Sequence, residues 1–252
     1  MVSLPEAVYA YLERDGERNL MLLGAMAYDP VQAYLGAERD GRLAAAALVV
    51  DLAANLPDDR PTVMVAADDP AALAQLVGGE AWPEKAIWST GRPELLAELE
   101  RLLGRRSDPA RGLRYYIASQ APSHQIARVR RITMDDADEL DLSPCALSPT
   151  ALRSWLRRGW RMFGAVQGNT LLCHALAAYP IADTEEVSAV FTAPRARRRG
   201  LARAVVATTI ADIVRRGSRA VYVTSKTNVA SQRVAEALRL APLQETWEVV
   251  IG

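Results

Sequence analysis

The sequence predicts an α/β fold of mixed sheets, present in two copies, on three observations. Short apolar runs bounded by Pro, Gly and Asp alternate with segments of helical apolar spacing, which argues for an α/β or mixed α+β layer. The stretch Gly36-Ala-Glu-Arg-Asp-Gly-Arg-Leu43 aligns without gaps on Gly164-Ala-Val-Gln-Gly-Asn-Thr-Leu171, an offset of 128 (164 − 36), and Ala47-Leu48 then matches Ala175-Leu176. Val187 to Phe191 runs into Pro194, four arginines and Gly200, after which Leu201 to Val214 is a long apolar segment. Pro cannot donate to a sheet ladder and so marks a strand end.

The elements follow in order. Ala7 to Arg14 and Arg18 to Ala27 have helical spacing, separated by Asp15-Gly16. Ala33 to Ala37 and Leu43 to Leu52 form a hairpin around Arg39-Asp-Gly-Arg42, because Asp-Gly suits a turn with positive φ. Pro61 to Ala67 is a strand, and Asp68-Asp69-Pro70 caps a helix to Val77. A strand over Lys85 to Ser89, a helix from Arg92-Pro93 to Leu103 and a strand over Leu113 to Ser119 complete the first half. The polar, proline-containing Gln120 to Gln125 marks the boundary, giving domains 1–122 and 123–252.

In the second half Ala127 to Thr133 is a strand and Thr133-Met-Asp-Asp136 opens a helix. Ser148-Pro149 opens another, to Arg158, with Leu152, Trp155 and Leu156 on one face. Arg161 to Val166 and Leu171 to Tyr179 form the second hairpin, and Glu186 to Phe191 leads into the basic turn. Ala220 to Thr224, Asn228 to Leu240 and Thr246 to Ile251 close the chain as strand, helix and strand.

Composition excludes several classes. The chain has 252 residues, 50% of them hydrophobic and 24% charged, which supplies an ordinary globular core. Its formal charge is zero, so no global field draws it to nucleic acid or membrane. Lysine occurs only at Lys85 and Lys226, so arginine carries nearly all the positive charge. Cys145 and Cys173 have no metal-ligand spacing and make no disulfide framework, and a reduced, cytoplasmic setting is expected. The first residues do not read as a signal peptide, and no apolar run reaches membrane-spanning length. A monomer or homodimer without metal is expected.

The basic turn describes an anion site. The first amides of a helix lack internal partners, the helix dipole places partial positive charge there, and a glycine admits close approach to the backbone. Four arginines at that end, Arg195, Arg197, Arg198 and Arg199, are unfavourable without an anion partner. At these residues the sequence resembles a known family. Arg197-x-x-Gly200-x-Ala202, after a strand and opening a helix, is similar to the acyl-CoA signature of the GNAT superfamily of N-acetyltransferases. The resemblance covers about Ala127 to Gly252. It implies two tandem GNAT-like domains, each a central mixed β-sheet flanked by helices.

The resemblance further implies acetyl-CoA as cosubstrate, with its pyrophosphate on Arg197, Arg198, Arg199, Gly200, Leu201 and Ala202. The pantetheine would lie along the strand edge of Val190, Phe191 and Thr192, and Asn228 and Ser231 match further cofactor contacts. Asn228 is also a good N-cap without any ligand. The first half carries Asp68-Asp69 where the second has its basic turn, so that half reads as a degenerate, non-catalytic copy.

Acetyl transfer to a primary amine needs the amine neutral, so a general base is useful. Glu186 matches a family carboxylate of that role, though an exposed strand-end glutamate is the ordinary alternative. His174 is the second catalytic candidate, set against a core histidine on an apolar strand. The family often has a tyrosine seven residues after the asparagine; here Ala235 stands there, leaving Tyr222, water or unassisted departure of the thiolate. Trp155, Trp160, Phe163 and Tyr179 wall either an acceptor pocket or the core. The leading expectation is an acetyl-CoA-dependent N-acyltransferase acting by direct attack in a ternary complex. Its rivals are a non-catalytic acyl-CoA sensor, and a nucleic-acid module using Arg195 to Arg203, which zero net charge and absent aromatic interleaving oppose.

Overall fold

A computed structural model describes residues 5–28, 31–51, 60–79, 82–123 and 129–252. The elements are α1 (Glu6–Glu13), α2 (Leu20–Tyr28), β1 (Val31–Arg39), β2 (Arg42–Val50), β3 (Thr62–Ala67), α3 (Pro70–Gly78), β4 (Ala86–Thr90), α4 (Pro93–Leu103) and β5 (Leu113–Ala118). They continue with β6 (Val129–Ile132), α5 (Asp136–Glu139), α6 (Pro149–Arg157), β7 (Arg161–Gln167), β8 (Thr170–Ile181) and β9 (Thr184–Thr192). The last are α7 (Leu201–Arg215), β10 (Arg219–Ser225), α8 (Val229–Ala237), β11 (Ala241–Glu245) and β12 (Trp247–Ile251). The strand expected over 127–133 is seen from Val129, residues 124–128 and Leu52 lying outside the described residues.

Local chemistry explains the boundaries. Asp69 caps α3, its carboxylate accepting from Ala72 N at 2.9 Å, with Pro70 in the first turn, where its missing N–H costs nothing. Ser148 caps α6 in the same way, accepting from Ala151 N at 3.1 Å. The β1–β2 turn places both Asp40 (φ 53°) and Gly41 (φ 72°) in the left-handed region that a tight hairpin requires.

Two mixed sheets result. One has the order β1-β2-β3-β4-β12, the other β11-β5-β10-β9-β8-β7-β6. In the first, β1 to β3 are antiparallel, β3 and β4 are parallel, and β12 returns antiparallel to β4. In the second, β6 to β9 are antiparallel and β9 and β10 are parallel. Thus β7, β8, β9 and β10 repeat the pairing of β1, β2, β3 and β4.

The duplication extends to side-chain packing. A Cβ built on Gly36 meets Leu43 Cδ1 at 2.6 Å, and one built on Gly164 meets Leu171 Cδ1 at 2.6 Å. The residues that aligned in sequence therefore make the same close approach in both hairpins. A glycine is needed there because the leucine Cδ1 occupies the space a Cβ would fill.

The closing strands depart from a simple division. The chain splits into two compact units, 1–114 with 225–227 and 243–252, and 115–224 with 228–242. The expected single boundary at 122/123 differs from this division. The last strand, β12, joins the first sheet, with Val249 opposite Trp88 and completely buried in the first unit's core. The pattern of a sheet edge gives no clue to which sheet a strand will complete. β11 was not anticipated, since Ala241-Pro-Leu-Gln-Glu245 has too few apolar residues to read as a strand.

Gly164→Ala is expected to lose about 1–3 kcal/mol in urea unfolding, through overpacking against Leu171 and Ile132. Gly78→Ala, with nothing within 4 Å of the added carbon, is the control and should not lose stability.

Candidate functional site

The parallel pair β9–β10 is where the second sheet opens. Its ladder runs Arg219↔Thr184, Ala220↔Glu185, Val221↔Glu186 and Tyr222↔Val187, then stops. Both strands continue, β10 to Ser225 and β9 to Thr192, without further rungs between them. A bulge accompanies the parting. Between His174↔Phe191 and Leu176↔Ser188 the register shifts, and Ala189 takes φ 48°, in the left-handed region. An extra residue bends a strand and increases its twist, which carries Val190 to Thr192 away from β10. Their unpaired edge is a template for an extended ligand.

The gap leads to the basic turn. Arg198 (φ 60°) and Gly200 (φ 75°) both adopt left-handed backbone, and Gly200 immediately precedes α7. Among the described residues the amides of Arg198 to Ala202 have no backbone acceptor. Nor does any ion pair there join Arg195, Arg197, Arg198 or Arg199 to a carboxylate; Arg197 Nε donates instead to Thr192 O at 3.3 Å. Unsatisfied amides, a helix N-terminus and uncompensated guanidinium groups together suit a phosphate-bearing ligand. Residues of the turn are exposed from Arg197 to Gly200, and Leu201 and Ala202 are half-buried.

The corresponding place in the first unit is self-satisfied. β4 ends at Thr90, its last rung with Val65, so no parted pair of strands follows. Asp69 spends its carboxylate on the α3 cap and on a two-pronged contact with Arg39, at 2.7 and 3.2 Å. Asp68 pairs with Arg14 at 3.5 Å. Arg39 and the Ala72 amide hold the Asp69 carboxyl down at about 2, so the turn stays anionic and repels phosphate.

Asn228 caps α8, its side chain accepting from Ser231 N at 3.1 Å. The Ser231 hydroxyl is in turn hydrogen-bonded to the Tyr222 phenol. Ser231, expected as a cofactor contact, therefore has both of these groups engaged within the protein. Ala235 is completely buried in the cluster that also contains Tyr222, Cys173 and Val187.

The two catalytic candidates share a sheet face. Cys173, Ala175 and Ala177 pack with α7, so His174, Leu176 and Ala178 face the other way; Glu186 lies directly opposite Ala178. They are nonetheless four strand positions apart, roughly 13 Å, too far to act on one atom. Glu186 is half-buried. His174 is 3% exposed, stacked on Phe191 and near Trp155, with ring centroids at 6.2 and 6.3 Å. Its buried Nδ1 has no hydrogen-bond partner among the described residues, and burial pulls its pKa down to about 4, so the imidazole is neutral near pH 7. Of the aromatic residues, Phe163 packs toward α7, whereas Trp160 and Tyr179 contact each other at 4.6 Å on the opposite face.

The neighbouring Glu185 points to the α7 face, as strand alternation requires. It pairs with Arg161 at 2.5 Å, and Arg161 also reaches Asp212 of α7 at 2.7 Å. That buried triad fastens β7, the start of β9 and α7 together at the paired end of the β9–β10 ladder. Cys145 and Cys173 are buried thiols pushed up to about 11 and about 12, which makes both poor nucleophiles. No cluster of His, Cys, Asp and Glu suited to a metal occurs among the described residues, and none of their helices is long and apolar enough to cross a membrane.

Comparison with known proteins places this geometry in context. Residues 163–247 match the family model described as FR47-like protein. The structure is similar to a GCN5-related N-acetyltransferase from Sphaerobacter thermophilus (13% identity, 95% of this chain and 88% of the other, TM-score 0.63). It is also similar to a GNAT-family acetyltransferase from Colwellia psychrerythraea (11%, 94% and 97%, TM-score 0.60). A tandem GNAT protein from the clavulanic acid biosynthesis pathway aligns over 93% of this chain and 88% of its own (15% identity, TM-score 0.58). At these identities the likeness is one of fold. None of the curated proteins compared matches the sequence.

His174 offers a pH test. Its folded pKa of about 4 lies below the ordinary imidazole value of about 6.5. The stability linked to the neutral ring is therefore complete above about pH 6.5 and lost as pH falls toward 4. Between those limits the loss is roughly 3 kcal/mol. Urea midpoints of His174→Phe should fall less over that range than those of the unaltered protein.

Proposed function

We propose that this chain, whose fold is similar to that of GNAT-family structures and whose residues 163–247 match the FR47-like model, is an acetyl-CoA-dependent N-acyltransferase acting on a primary amine. The observation that carries the reading is the parted β9–β10 pair leading into a turn of unpaired amides and uncompensated arginines. In this reading Arg197, Arg198, Arg199, Gly200, Leu201 and Ala202 hold the pyrophosphate. Val190, Phe191 and Thr192 align the pantetheine through backbone groups, and Asn228 borders the cofactor from α8. Ser231 contributes there through its tie to Tyr222.

Transfer occurs within a ternary complex by direct attack of the amine on the thioester carbonyl. Backbone N–H groups of the Val190 to Thr192 edge stabilise the developing oxyanion; loss of such a donor costs roughly 10²–10³ in rate. Glu186 takes a proton from the bound ammonium, directly or through one water, so that the neutral amine attacks, a role its half-buried position supports. His174, neutral and roughly 13 Å along the sheet, serves the acceptor side as a wall with Trp155 and Phe191.

A second reading has a specific observation in its favour. Ala235 leaves the family's tyrosine position without a proton donor, as in a protein that binds acyl-CoA without turning it over.

Thermal unfolding with acetyl-CoA tests the binding shared by both readings. Ligand at about 100 times its dissociation constant adds about 2.7 kcal/mol, a rise of several degrees for a chain of this size. No rise at millimolar acetyl-CoA would remove both. Release of coenzyme A thiol with a panel of amines, amino acids and peptide N-termini separates them. Turnover supports the transferase, and Glu186→Gln should then lower kcat by about 10²-fold or more. Binding without turnover supports the sensor.

A further inference from the structure

Departure of the thiolate is the step for which the sequence provides no donor at the customary position, and the structure supplies one from a different element. Resting on the acetyl-CoA reading above, we propose that Tyr222 is the acid that protonates the leaving sulfur, with Ser231 holding its hydroxyl in place.

Four observations converge on this residue. Tyr222 stands on the last rung between β9 and β10, opposite Val187, and so at the closed end of the gap that opens beyond it. Its ring is 1% exposed, and its hydroxyl has one hydrogen-bond partner among the described residues, Ser231 Oγ in the first turn of α8. Ser231 precedes Ala235 by four residues and hence shares its helix face. The phenol oxygen therefore sits one turn from the position Ala235 occupies, reached from a strand instead of the helix. Tyr222, Ala235 and Val187 belong to one packed cluster, against which Val190 also lies, and Ala235 is itself completely buried. A bulky side chain at 235 would compete with the Tyr222 ring for that volume, so the alanine and the strand tyrosine form a compensating pair.

The alternatives near the gap are weaker. Cys173 lies on the same face, but its thiol is held against Thr192 Oγ at 3.1 Å; burial raises the pKa of both this thiol and the Tyr222 phenol, so geometry decides between them. Tyr116, with its ring 6.5 Å from that of Tyr222, stands beyond it on the side away from β9, since β5 lies on the far edge of β10.

The step balances as follows. The amine nitrogen forms a bond to the acetyl carbon, and the C–S bond breaks with its electron pair going to sulfur. The sulfur takes the phenolic proton of Tyr222. Either hydroxyl can donate in the Tyr222–Ser231 contact; in the proposed step Ser231 donates to the phenol oxygen, which leaves the phenolic proton for the sulfur and stabilises the phenolate. Tyr222 is then reprotonated from solvent as coenzyme A leaves. The proton released by the amine goes to the general base, so no oxidant or metal is involved.

The experiment needs no knowledge of the acceptor. Binding of coenzyme A and of desulfo-coenzyme A is measured by calorimetry on the full chain and on Tyr222→Phe. The proposal predicts that the unaltered protein prefers coenzyme A about tenfold, and that Tyr222→Phe removes the preference while binding desulfo-coenzyme A unchanged. Equal affinities in the unaltered protein overturn the proposal, and that result does not depend on the variant's folding. A preference that survives in Tyr222→Phe overturns it as well. Failure to bind either ligand overturns the acetyl-CoA reading itself, which is a distinguishable outcome. With an acceptor in hand, Tyr222→Phe should lower kcat by about 10²-fold with KM for acetyl-CoA unchanged. Ser231→Ala should lie between the two, and unchanged kcat in Tyr222→Phe again counts against the role.

Discussion

The separation of β9 from β10 is the constraint on which the candidate site depends. Two parallel strands with matched registers have no physical reason to part, because each further rung satisfies a donor and an acceptor. Here an extra residue near Ala189 breaks the register with β8, places an alanine at positive φ and bends the strand. Such a conformation costs of order 1 kcal/mol or more, and it is maintained by what surrounds it. On one face lie His174 and Phe191, stacked and largely buried. On the other, the Arg161–Glu185–Asp212 triad fixes the start of β9 to β7 and α7. The strand is held firmly on both sides of the bend, so the distortion appears only as a gap.

The same architecture without that distortion is visible in the first unit. Gly36 and Leu43 pack as Gly164 and Leu171 do, and β1 to β4 pair as β7 to β10 do. The two hairpins share this packing because each leucine occupies the space a Cβ on the glycine would fill. What differs lies at the end of the parallel pair, where β4 stops at its last rung and Asp68 and Asp69 fill the turn after β3 with internal salt bridges. One copy thus satisfies its own turn, and the other leaves amides and guanidinium groups for a ligand. The turns also differ in charge, four arginines against two aspartates.

Much of this was legible in the residues. Asp69-Pro70, Ser148-Pro149 and Asn228 each signal a cap, and each cap formed, because capping is decided within four residues. The basic turn was legible for the same reason. The bulge was not: an alanine at positive φ carries no local signature, and only the pairing of β8 with β9 reveals it. The tie between Tyr222 and Ser231 also lay beyond the sequence, since it joins a strand to a helix through packing. His174 read as a core histidine first and a base second, and its Nδ1, without a partner among the described residues, answers to neither pattern alone. The placement of β12 beside β4 was hidden because an alternating strand fits the edge of either sheet.

The central claim is that one of two similar units carries a coenzyme A cradle and the other has none. Isothermal titration of the full chain with coenzyme A measures it directly through the stoichiometry. The account predicts one site per chain, abolished or severely weakened when Arg198 and Arg199 are both replaced by alanine. Two equivalent sites, or one site indifferent to those arginines, would contradict it.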